Sequence, residues 1–238
     1  MERGNYMKYE DWLFEIYYSE VDEKYMDKLR NTILSRMPDI LQFFKIKFES
    51  KIVIKLYDDI NSYKENLVAS FEKNAIEDSK KHGKKVEARK YEDFMIANTE
   101  DGNLNMQSLS LVRMQEDYRN YTEDEFCLNA CHEFAHLCQM QVGSENPGWF
   151  WEVIASTIGN PECQHEIKGS FTYKDLNENF DKIDGYGAAY TVGKYLFANY
   201  SQDFILNMIK DNEVFNKNIE DIVEKSQSTK NDMHGKCY

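Results

Sequence analysis

Hydrophobic and polar positions change period along this chain, and the changes divide it into elements. Trp12 to Tyr18 reads as a strand, and Val21 to Phe44 as a helix interrupted near Pro38. Lys51 to Tyr57 reads as a strand by its alternation and β-branched content. Ser62 to about Asn74 returns to helical spacing, and Phe94 to Asn98 with Leu104 to Leu111 predicts a hairpin about Asp101-Gly102. The second half is mainly helical. Thr122 with Glu125 forms a capping box, Glu123 and Asp124 put negative charge at the positive end of the helix dipole, and Gly143 supplies a stop, so a helix is predicted over 123–142.

That helix carries His132-Glu133-Phe134-Ala135-His136. Residues four apart lie one above the other on a helix, so His132 and His136 can close on one metal ion. Glu133 stands beside them, where a carboxylate can take a proton from activated water. With a rotation of about 100° per residue, Cys127, Cys131 and Cys138 fall on the opposite side with Phe134. The thiols are therefore expected as small buried groups rather than ligands.

A catalytic zinc has three protein ligands and one open position. Asn146 as cap, Pro147 in the first turn and Gly159-Asn160-Pro161 as breaker predict a second helix through Trp149 to Ala155. The short connection makes the two helices antiparallel neighbours. His136 and Glu152 then lie at similar distances from the turn, roughly 10 Å at about 1.5 Å per residue, which nominates Glu152 as the third ligand. Trp149, one turn from Glu152, is placed to wall the site, and Trp151 to pack in the core.

His132-Glu133-x-x-His136 followed by Trp149-x-x-Glu152-x-x-Ala155 resembles the gluzincin branch of zinc metallopeptidases, in particular the thermolysin-like and peptidase MA-like catalytic domains. The resemblance implies zinc held by His132, His136 and Glu152, with Glu133 as general base. Tyr190-x-x-Gly193 resembles the segment in which the aminopeptidase relatives place a tyrosine that stabilises the tetrahedral intermediate, with Val192 in place of their lysine; Tyr186, one turn earlier, competes for that role. No Gly-x-Met-Glu-Asn segment is present, so the aminopeptidases' clamp on a free N-terminus has no counterpart. Val153 replaces a common glycine, and Ser156 an aspartate that orients a histidine in thermolysin-like enzymes.

Further along, Tyr186, Tyr190, Gly193, Phe197 and Tyr200 recur at helical spacing and predict a core-facing stripe. The stretch 161–184 reads as a polar, irregular surface insertion, with His165 an ordinary exposed histidine. In the hairpin, Leu104 to Leu111 precedes the histidine helix. Such a strand would border the cleft and pair its free backbone groups with an extended peptide, or else serve as an ordinary sheet strand.

Composition changes this picture only at its edges. At 238 residues the chain can bury a good core as one domain. A net charge of −13 disfavours nucleic acid and anionic membranes as partners. Lys80, Lys81, Lys84, Lys85, Arg89 and Lys90 are a local exception, read as a solvated face because acidic residues interleave with them. No apolar run approaches the roughly 18 residues that span a bilayer, the first residues do not form a signal peptide, and five cysteines lack a framework spacing, which together point to the cytoplasm.

The expected protein is thus α+β: a small mixed N-terminal sheet with helices (1–118), then a mainly helical zincin-like part carrying the zinc site (119–238), with the cleft between them. The expected activity is zinc-dependent hydrolysis of peptide or protein substrates. The alternative is a zinc-containing module that captures a peptide without cutting it.

Overall fold

A computed structural model describes residues 6–92, 95–100, 102–143 and 145–234. It is a mixed α+β structure, with a five-stranded sheet in the first half of the chain and helices after it. Strands β1 (Met7–Glu10) and β2 (Phe14–Tyr18) form a hairpin closed by Asp11 N–H donating to the Phe14 carbonyl at 2.9 Å. The expected strand at 12–18 is therefore shorter, because Trp12 sits in the turn with its ring exposed. Helix α1 (Glu23–Phe44) leads to β3 (Ile52–Tyr57), and α2 (Ile60–His82) runs well past the expected Asn74 to a left-handed Gly83. Strands β4 (Ala97–Glu100) and β5 (Asn103–Gln107) are the expected hairpin; Phe94 and Asp101, named for it in the sequence, lie outside the described residues.

The strand order is β1-β2-β3-β5-β4, with β2, β3 and β5 mutually parallel and the outer strands antiparallel to their neighbours. This order decides between the two readings of the strand before the histidine helix in favour of an ordinary sheet strand. Strand β5, which precedes the histidine helix, is paired on both sides, so its backbone groups are spent within the sheet. The edge strand beside it is β4, with β1 at the opposite edge. Strand β5 also ends at Gln107 rather than Leu111, because Ser108 caps the short helix α3 (Leu109–Val112) by accepting from Leu111 N–H.

The remaining elements are helical: α4 (Glu123–Gln141), α5 (Gly148–Ile158), α6 (Tyr173–Glu178), α7 (Gly185–Asn199), α8 (Gln202–Lys210) and α9 (Asn212–His234). The described residues fall into two compact units, one taking in the chain up to Leu34 with Phe48–Glu133, the other Ser35–Lys47 with the chain from Phe134 onward. Among the described residues, no helix is long and apolar enough to cross a membrane.

Helix α1 passes through Pro38 without the expected interruption. Proline removes one N–H from the helix ladder, but Ile33, Met37, Ile40 and Phe44 keep one face buried on both sides of it, and that burial outweighs the lost bond. The stretch 161–184 is more ordered than its polarity suggests. Thr172 and Asp175 form a capping box for α6, and Ile167, Phe171 and Leu176 are buried.

Helix α7 also departs from expectation. Its buried positions are Gly185, Gly187, Ala188, Ala189, Thr191, Val192, Gly193 and Leu196, whereas Tyr186 is exposed and Tyr190, Phe197 and Tyr200 are half-buried. Small residues win the inner face because α7 packs closely on α5. A Cβ at Gly193 would stand 1.9 Å from Thr157 Oγ1 and 2.8 Å from the Val153 carbonyl. The aromatic side chains take the periphery, where Phe197 stacks on Phe43 with ring centroids 5.2 Å apart and Tyr200 on Phe204 at 4.8 Å.

In the first unit, the 3-10 turn before α1 buries Asp22. Its Oδ2 accepts from Ser19 Oγ at 3.4 Å, and Oδ1 has no hydrogen-bond partner among the described residues. Burial, and after it the Asp58 carboxylate, push this carboxyl up to about 6.

Two outcomes are expected from these features. Gly193→Ala overpacks the α5–α7 contact and should destabilise the fold by about 1–3 kcal/mol, read from urea unfolding. Asp22 binds its proton more tightly in the folded chain than in the unfolded one, where it titrates near 3.8. Its contribution is therefore most favourable below about pH 4 and is lost as pH rises through about 6. Unfolding midpoints of wild type minus those of Asp22→Asn should decline across that window and be flat above it.

Candidate metal centre

Helix α4 begins as its sequence dictates. Glu125 N–H donates to Thr122 Oγ1 at 3.1 Å while Thr122 N–H donates to Glu125 Oε2 at 2.7 Å. Lys28 joins the acidic first turn at 2.9 Å from Asp124. At the other end Gly143, with φ of 76°, adopts the left-handed conformation that stops the helix.

Between these ends the helix is enclosed. Phe126, Ala130, Cys131, Phe134, Ala135 and Cys138 are buried, which fits a helix surrounded by packing rather than one resting on a surface. Cys127 and Cys138 lie in this apolar setting as expected. Burial pushes the Cys127 thiol up to about 12 and raises that of Cys138 as well, so both stay protonated, a form that binds metal poorly.

Against this background His132 and Glu133, each 7 % exposed, and the fully buried Gln139 are the polar exceptions, with His136 half-buried a turn on from His132. Helix α5 presents Glu152 to His136. The His136 Nε2 to Glu152 Oε1 distance is 3.4 Å. One ligand atom from each of His132, His136 and Glu152 lies within 4.8 Å of the others, so the three residues nominated from the sequence are gathered as a group that could hold a metal ion.

The turn into α5 works differently from its predicted form. Pro147 occupies the cap position, and its carbonyl accepts from Phe150 N–H at 2.9 Å. Asn146 is buried, and its side chain is committed elsewhere, donating to the Met208 carbonyl at 3.1 Å. Its own carbonyl accepts from Trp151 Nε1 at 3.1 Å.

This last bond reverses the expected roles of the two tryptophans. Trp151 lies beside His136, ring centroids 6.1 Å apart and planes tilted by 32°. Trp149 is buried instead, donating from Nε1 to Asn177 at 3.0 Å and meeting the rings of Phe150, Tyr173 and Phe215. His165 is exposed, 2.7 Å from Asp184, which caps α7 through Gly187 N–H.

Three polar contacts at the site escaped the sequence reading. Gln139 Oε1 lies 3.2 Å from His136 Nδ1, an arrangement that fixes the ring with Nε2 toward Glu152. Its position three residues after a ligand was a usable signal, since i and i+3 share a helix face. Thr99 on β4 donates from Oγ1 toward Glu133 Oε2 at 2.9 Å and toward the Glu133 carbonyl at 2.8 Å. No local pattern announces that pairing across 34 positions of sequence.

Tyr190 is half-buried on α7, and Tyr186 meets Phe180 edge to face at 5.3 Å. Gly193 of the same short segment is accounted for by its packing against α5. No family model matches the chain, and neither a curated protein nor a solved structure matches it.

Zinc offered to the purified protein should bind at one equivalent, and His136→Ala should abolish that binding in a chelator competition. Gln139→Leu should keep the ligands but weaken affinity by about 10–100-fold, the range found for partners that orient a metal-bound imidazole.

Proposed function

We propose that this chain is a zinc-dependent peptidase of gluzincin type. The observation that carries the reading is the convergence of His132, His136 and Glu152 with Glu133 adjacent on the same helix. Two imidazoles and a carboxylate are a donor set that suits zinc, and the Gln139 contact leaves His136 Nε2 as the ligand atom. Bound zinc would supply Lewis acidity, polarising a carbonyl and bringing the pKa of water near 7.

The chain's own groups account for the proton traffic. Glu133 takes the proton from the attacking water and passes it to the departing amine, which is the work of a positioned carboxylate. Tyr190 donates a hydrogen bond to the oxyanion. Thr99 places edge strand β4 against Glu133, so an extended peptide pairing with that edge would run past the base. Without the aminopeptidases' N-terminal clamp, aminopeptidase activity is not part of this reading. The same reading places the protein in the cytoplasm, with no part in nucleic-acid or membrane binding.

Glu133→Gln keeps the shape of the side chain and removes its basicity. Zinc content of this variant should equal wild type, while chelator-sensitive cleavage of a peptide library should fall by at least about 100-fold. Unchanged turnover would overturn the mechanism, and stable retention of uncut peptide by wild type would replace it with a binding role.

A further inference from the structure

The geometry points to Thr99 as the positioning residue of the general base, an inference that rests on the peptidase reading above. Thr99 sits on the inner face of edge strand β4, 9 % exposed, opposite Leu104 of β5. Threonine is at home in a strand, but a hydroxyl on an inner face is costly unless it is bonded. This hydroxyl finds both its partners in one residue, the carboxylate and the main-chain carbonyl of Glu133, at 2.9 and 2.8 Å.

A hydroxyl carries one proton, so the two contacts share it or alternate. Either way the side chain of Glu133 is referenced to its own backbone through a third group. That removes rotational freedom from a carboxylate that would otherwise have three torsions to settle. It also separates the two carboxylate oxygens by role. Oε2 is held by Thr99, and Oε1 is the atom that receives the proton. The neighbouring residues of β4 do not share the arrangement, because alternation turns Asn98 and Glu100 to the other face, where Glu100 accepts from Asn74.

Thr99→Val preserves shape and removes the donor. In zinc-loaded full-length protein, kcat for peptide cleavage should fall by about 10–100-fold, with KM and zinc stoichiometry unchanged, and Thr99→Ser should recover most of the loss. A purely structural tie would lower the unfolding midpoint without separating kcat from KM. Should valine pack poorly, Thr99→Ala against Thr99→Ser asks the same question, since that pair also differs by the hydroxyl. Wild-type turnover matched by Thr99→Val and Thr99→Ala overturns the positioning role alone. A wild-type protein that binds zinc and cleaves nothing overturns the peptidase reading, and this role with it.

Discussion

Withdrawing polar groups from water is costly unless they gain partners, and helix α4 withdraws several at once. It is packed on most of its surface, yet it carries His132 and Glu133 into that packing and His136 to its margin. Each unpaired buried charge would cost several kcal/mol, of the order of the whole stability of a domain. The surroundings of α4 make sense as the answer to that cost: Glu152 and Gln139 meet His136, and Thr99 meets Glu133.

The partners come from elements whose own placement is strongly determined. Strand β4 is registered by its pairing with β5, and α5 is held close to α7 by the absence of a side chain at Gly193. Backbone pairing thus places Thr99, and close helix contact places Glu152. Neither arrangement uses long flexible side chains as its primary constraint.

What was legible in the sequence follows from range. The boundaries of α4, the stop at Gly143 and the level of Glu152 opposite the histidines are set by residues within a few turns, and they read correctly. Asn146 was misread because a cap and a tertiary hydrogen bond look alike in sequence, and the Met208 carbonyl claimed the side chain. The tryptophans exchanged roles for a related reason. Helical phase places both near Glu152, but only the packed structure shows that Tyr173 and Phe215 complete a pocket for Trp149. The strand order could not be read at all, since a sheet edge is defined by pairings between distant segments. Thr99 was invisible with it.

Asn146 ties these observations to the end of the chain. Through its side chain it grips the Met208 carbonyl at the close of α8, and through its carbonyl it holds the indole of Trp151, which leans over His136 next to Glu152. Three links thus join the α8–α9 junction to the ligand pair. Coupling of this kind is reciprocal. If filling the site steadies Trp151, it steadies the junction by the same free energy, and loosening the junction weakens the site equally. The last two helices would then belong to the thermodynamics of the centre although they contribute no ligand to it.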